Sequence, residues 1–139
     1  MNILVIDAQG GGIGRQLVTK LLERIPEADI VAAGTNSMAT NAMLKAGAKK
    51  AATGENAIRY CASQAEIITG PIGILVANAM LGEISPAIAE SVGSSTAPKV
   101  LIPTAHCNTI IAGTKALPVK DSIEDAVERI VRIYGGDDN

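Results

Sequence analysis

The sequence predicts a three-layer α/β/α domain on a mostly parallel sheet of strand order 3-2-1-4-5. Three observations carry that expectation. Short apolar runs rich in β-branched residues alternate with stretches whose apolar residues recur at helical spacing. The first run leads straight into Gly10-Gly11-Gly12-Ile13-Gly14 and then a helical pattern, which is the opening of a mononucleotide-binding βαβ unit. Parallel neighbours, finally, must be joined by right-handed crossovers, which leaves few orders open.

The elements follow in order. Asn2 to Ile6 reads as a buried strand. Gly12 to Ile25 is a helix with Ile13, Leu17, Val18, Leu21 and Leu22 on its apolar side, and Pro26 ends it. Ile30 to Ala33 is strand two, and Thr35-Asn36-Ser37 is a turn and cap before a helix over Met38 to Ala46, with Gly47 just past its end. Ala48 to Ala52 is a weak third strand; Lys49 and Lys50 suit an edge. A short helix over Asn56 to Ala62 follows, then strand four over Ala65 to Thr69. Ile72 to Leu81 fits either a strand or the first turns of a crossover helix. Pro71 suits a first helical position and a crossover is needed here, which favours the helix. Ser85 caps another helix that begins at Pro86 and gives way to a loop over Gly93 to Pro98. Val100 to Ile102 is strand five, and Thr109 to Ala112 reads as a sixth. Asp121-Ser122-Ile123-Glu124 has the form of a capping box, and the last helix carries Ile123, Ala126, Val127, Ile130, Val131 and Tyr134 on one stripe, to pack beside helix one. No internal repeat or long linker interrupts the chain, so residues 1–139 are expected to form a single domain.

Composition narrows the class. With 47% apolar residues and a net charge of −2, neither nucleic acid nor an anionic membrane is indicated as a partner. The aromatics are Tyr60 and Tyr134, too few to stack a row of bases. Ile67 to Leu81 is the longest apolar stretch, and Gly70, Pro71 and Gly73 break it. Met1 leads directly into a strand, which predicts no cleavable leader and a cytoplasmic protein. Cys61 and Cys107 are then expected as free thiols.

The glycine loop is the first candidate site. Glycines turn the backbone tightly and leave N–H groups exposed, and the helix N-terminus behind them favours a phosphate. Gly10, Gly11, Gly12, Ile13, Gly14 and Arg15 are therefore expected to hold a cofactor, against the simpler alternative of a turn needed only for packing. Arg15 stands where the third glycine of G-x-G-x-x-G would be, and the spacing is closer to the T-G-x-x-x-G-I-G pattern of short-chain dehydrogenases, which Gly12-Ile13-Gly14 resembles. That family's Tyr-x-x-x-Lys is absent: Gln64 follows Tyr60 at that spacing and Asp138 follows Tyr134. Asp7 brings a charge close to any phosphate; it is expected to bond the loop N–H groups or to hold a cation. At the end of strand two an NAD site would offer Asp or Glu for the ribose. Here Thr35 and Asn36 stand instead, and with Arg15 they favour NADP or a mononucleotide, unless they only cap the next helix. Thr69 and Gly70, at the end of strand four, complete the expected cofactor site. His106 and Cys107, just past strand five, are the candidate catalytic residues, because doubly wound folds place ligands there. No ligand set has metal-site spacing, so no metal is expected.

Val5 to Gly14, Thr69 to Ile74, Asn78 to Ile84 and Cys107-Asn108 together resemble a small bacterial family of uncharacterised function with a Rossmann-like glycine-rich N-terminal loop. The resemblance spans nearly the whole chain and implies a compact protein of nucleotide-binding appearance, with no substrate or reaction attached. The expectation is a nucleotide- or dinucleotide-binding protein, NADP-linked or using another nucleotide. The other reading is a non-catalytic small-molecule sensor or interaction domain on the same scaffold. The apolar character of Met38 to Ala46 and of Ile72 to Leu81 points to a homodimer.

Overall fold

The structure, a computed structural model, describes residues 1–104 and 109–136. Five strands, β1 (Asn2–Asp7), β2 (Asp29–Gly34), β3 (Lys50–Thr53), β4 (Ile67–Pro71) and β5 (Lys99–Ile102), form one sheet in the order β3-β2-β1-β4-β5, parallel throughout. The expected order is therefore the observed one. Five helices connect and follow them: α1 (Gly12–Arg24), α2 (Ser37–Lys45), α3 (Glu55–Gln64), α4 (Pro86–Ser94) and α5 (Val119–Tyr134).

Alternation along β1 explains the layers. Ile3 and Val5 face one side, where Leu17, Val18 and Leu21 of α1, Met43 of α2 and Ile123, Val127 and Ile130 of α5 cover them. Leu4 and Ile6 face the other, against Ile58 and Ala62 of α3 and Ile88 and Val92 of α4. Both faces are buried, so β1 reads as a continuous apolar run. Each fully buried Leu or Ile contributes about 1.5–3 kcal/mol relative to exposure, which makes these two layers the main source of stability. α5 lies against α1, and Arg24 Nη1 donates to Glu128 Oε2 at 2.7 Å across their exposed sides. Asn36 caps α2 by accepting the Ala39 N–H, and Ser85 caps α4 by accepting the Ile88 N–H.

Three expectations are corrected. Ile72 to Leu81 is not a helix beyond one 3₁₀ turn at Ile72–Leu75. Asn78, Met80 and Leu81 have φ of 66°, 57° and 58°, a left-handed conformation that stops a right-handed helix. The loop closes on itself instead, with the Asn78 N–H donating to the Ile84 carbonyl at 2.7 Å, and α4 supplies the crossover. Thr109 to Ala112 forms no strand. Its β-branched residues suit one, but the sheet ends at β5, and the Thr114 N–H and hydroxyl turn back onto the Ile111 carbonyl. Finally, α5 begins before the Asp121-to-Glu124 box: its first residue is Val119 and Asp121 lies in its first turn, where a carboxylate complements the helix dipole.

Candidate functional site

The C-terminal ends of β1 and β4 define the site. From β1 the chain leaves towards β2, and from β4 towards β5, so a crevice opens between them. A cup of about 210 Å³ sits there, lined by Asp7 to Ile13, Pro71, Met80 and Thr104. A second hollow of about 540 Å³ adjoins it through Ile13 and Thr104, beneath residues 109–119. A third hollow, about 650 Å³, lies between β5 and α5 and includes no residue of the glycine loop.

The glycines of the loop divide into two kinds. Gly11 has φ 73° and a Cβ there would meet the Ala39 backbone at 2.8 Å. A Cβ on Gly14 would meet Met43 Sδ at 2.6 Å and Asp7 Cβ at 3.0 Å. Packing and conformation account for both. Gly10 and Gly12 differ: neither has a positive φ, and a Cβ on either would meet nothing within 4 Å. Their N–H groups find no acceptor among the described residues. Neither fold nor strain requires glycine at these two positions, and both line the cup.

Asp7 holds the loop from below. Its Oδ1 accepts the Ala8 N–H at 2.8 Å and its Oδ2 the Gly14 N–H at 2.7 Å. This is the loop-bonding role open to it in the sequence, and it takes one of the orphan donors at the start of α1. Burial pushes the Asp7 carboxyl above its ordinary value; the Gly14 and Ala8 N–H groups oppose the rise, the charge of Glu83 adds to it, and the Ile13 N–H opposes it. Stability associated with protonated Asp7 is therefore complete below its ordinary value of 3.8 and is lost as pH rises through the raised value. Asp7→Asn removes this titration. Urea unfolding across pH should show wild type losing stability relative to the variant as pH climbs through that window; a difference that is flat or of opposite slope contradicts this.

Glu83 was not anticipated; it joins the loop after β1 to the end of β2. Its Oε1 accepts the Thr35 hydroxyl at 2.6 Å, the Gln9 N–H at 2.9 Å and the Asn36 amide at 2.9 Å. The Asn36 amide also donates to the Gln9 carbonyl at 3.0 Å. Partial burial pushes the Glu83 carboxyl up, but the Thr35 hydroxyl, the Gln9 N–H and the Asn36 amide outweigh it and hold the group below its ordinary value.

The other expected residues fall as follows. Gly10, Gly11, Gly12 and Ile13 line the cup, and Gly14 lies under them. Arg15 is exposed on α1 and is not among the lining residues. Thr35 and Asn36 are not among the lining residues either; the Thr35 hydroxyl donates to Glu83 and the Asn36 amide to Glu83 and the Gln9 carbonyl. Thr69 is fully buried within β4, in register with Val5 and Val100, and its hydroxyl has no partner among the described residues. Gly70 packs against the Ile6 carbonyl rather than opening on the cup. His106 and Cys107 lie outside the described residues. Cys61 is a half-buried free thiol on α3, and burial pushes it up, away from nucleophilic chemistry. Pro71 and Met80 also line the cup without having been anticipated. The acidic residue directly after Gly82, in the stretch that follows β4, was the available signal for Glu83.

Fold and crevice together define the class: a Rossmann-like α/β domain with a cup at its topological switch point. Within that class, the chain belongs to the family described as "Domain of unknown function (DUF3842)", whose model matches residues 2–135. No curated protein matches it by sequence. Among solved structures it is similar to a dodecameric FMN-dependent Ubix-like decarboxylase from Escherichia coli O157:H7, with TM-score 0.53 and 15% identity over 97% of this chain and 94% of that one. It is also similar to apo saccharopine dehydrogenase (L-Glu forming) from Saccharomyces cerevisiae, with TM-score 0.47 and 15% identity over 90% of this chain and 24% of the other. AibC aligns with TM-score 0.47 and 15% identity over 97% of this chain and 39% of that one. The first is a likeness of fold; the other two pair this chain with a minor part of longer ones.

Proposed function

We propose that this protein binds a nucleotide, seating a phosphate on the N–H groups of Gly10 and Gly12 at the start of α1. The observation that carries the reading is the pair of glycines that neither packing nor backbone conformation explains. Glycine at such positions lets a ligand approach the backbone closely, and free N–H groups at a helix N-terminus suit an anion. The cup of about 210 Å³ is smaller than the roughly 300–1,000 Å³ of a usual ligand pocket, so part of the ligand extends beyond it, for example into the adjoining hollow. Mononucleotides and dinucleotides both fit this description. FMN joins NAD, NADP, ATP and AMP as a candidate, because the Escherichia coli relative in fold is FMN-dependent.

The NADP preference suggested by Arg15, Thr35 and Asn36 is weakened by the bonds of Thr35 and Asn36 to Glu83, which set a carboxylate where a second phosphate would lie. If there is a reaction, His106 or Cys107 remains the proposed acid, base or nucleophile. Calorimetric titration of the wild-type protein with the five nucleotides tests the reading. Saturable binding of at least one supports it; binding of none overturns it and leaves the non-catalytic sensor or interaction domain as the better account.

The same reading takes the protein as cytoplasmic and as a homodimer. Met38 and Leu44 on α2, 68% and 46% exposed, and Leu81 at 98% are the apolar groups a second copy would cover. Sedimentation at micromolar concentration should show a dimer; a monomer alone contradicts this.

A further inference from the structure

We infer that Glu83 is the ribose-recognising carboxylate of the site, supplied from the loop after β4 instead of from the end of β2, and that it selects ligands with a free 2′-hydroxyl over 2′-phosphorylated ones. The inference rests on the nucleotide reading above. In dinucleotide-binding folds an acidic residue at the end of the second strand bonds the ribose 2′-hydroxyl. β2 ends here at Gly34 and is followed by Thr35 and Asn36, neither of them acidic. Glu83 Oε1 nevertheless lies 2.6 Å from Thr35 Oγ1 and 2.9 Å from Asn36 Nδ2, so a carboxylate stands at the strand end after all.

Its surroundings suit the task. Oε1 is saturated by three donors, which fixes the side chain, while Oε2 takes no hydrogen bond from the described residues. Oε2 is thus a pre-oriented acceptor for a hydroxyl. The Gln9 N–H that helps to hold Oε1 belongs to the same loop as Gly10 and Gly12, so one hydrogen bond ties the carboxylate to the residue next to the proposed phosphate seat, although Glu83 itself does not line the cup. The loop that carries Glu83 holds Asn78, Met80 and Leu81 in left-handed conformations, and such strain persists only where surrounding contacts over-determine it. A phosphate brought to Oε2 would meet like charge with no cation among the residues bonded to Glu83.

Titration of wild type and Glu83→Gln with NAD and NADP, and with AMP and its 2′-phosphorylated form, tests this. Wild type should prefer the unphosphorylated member of each pair by about tenfold or more, and Glu83→Gln should bring the ratio to within about threefold by removing the charge. Equal wild-type affinities overturn the assignment, whether or not the variant folds. So does a ratio unchanged in Glu83→Gln, which would leave Glu83 as a staple between the loop and β2. Wild type that binds FMN or another nucleotide but none of these four overturns the ribose assignment alone. Wild type that binds no nucleotide overturns the nucleotide reading and this inference together.

Discussion

Gly70→Ala is expected to destabilise the protein by about 3 kcal/mol or more, a large share of the roughly 5–15 kcal/mol that holds a domain of this kind together. Gly70 sits within β4, opposite Leu101 of β5, with φ 151°, a conformation that L-residues rarely adopt. A Cβ there would run into the Ile6 carbonyl oxygen. That oxygen belongs to β1, which is locked in register with β4 through Ile3, Leu4 and Val5, and with β2 along its whole length. Relief of the clash therefore means breaking the centre of the sheet. Gly10→Ala makes the contrast, since a methyl there enters open space; it should change stability by no more than about 0.5 kcal/mol. Urea unfolding midpoints of the two variants against wild type check both. Equal, small shifts would mean that the β1–β4 junction yields more easily than its geometry implies.

Gly12→Val should have the opposite profile. It is expected to weaken nucleotide binding by about 100-fold or more while leaving the unfolding midpoint within about 1 kcal/mol of wild type. The Cβ of residue 12 points to open space, so valine meets no protein atom within 4 Å at that carbon. Gly12 is the first residue of α1, where a branched side chain strains neither the preceding turn nor a hydrogen bond. The side chain instead fills the cup beside the unpaired N–H groups and keeps a phosphate from the backbone. Calorimetric titration and urea unfolding on the same preparation separate the effects. A folded Gly12→Val variant that binds as tightly as wild type would make the loop structural only.

The fold was legible wherever the information is local. The continuous apolar run of β1 reports a strand buried on both faces, and the spacing of Leu17, Val18 and Leu21 and the Ile123-to-Tyr134 stripe each report a buried face directly. Parallel order then follows from crossover handedness. The stretch after β4 was not legible, because left-handed residues there are Asn78, Met80 and Leu81, and nothing in a methionine or leucine announces a positive φ. Thr109 to Ala112 had strand chemistry without a sheet edge to pair with, a matter of tertiary context. The glycine loop declared itself, but which of its glycines face the cup needed coordinates: the packing atoms come from Ala39 and Met43 on α2. Glu83 was hidden by distance along the chain. It meets Gln9 across 74 residues, and no periodicity links the two.

The N–H groups of Gly10 and Gly12 are expected to receive the phosphate. Amide NMR follows those groups one by one during titration with whichever nucleotide binds most tightly. The Gly10 and Gly12 resonances should shift the most and saturate together, with those of Gly47, Gly54 and Gly93, outside the cup, unmoved. Saturable nucleotide binding that leaves Gly10 and Gly12 unshifted would contradict the account.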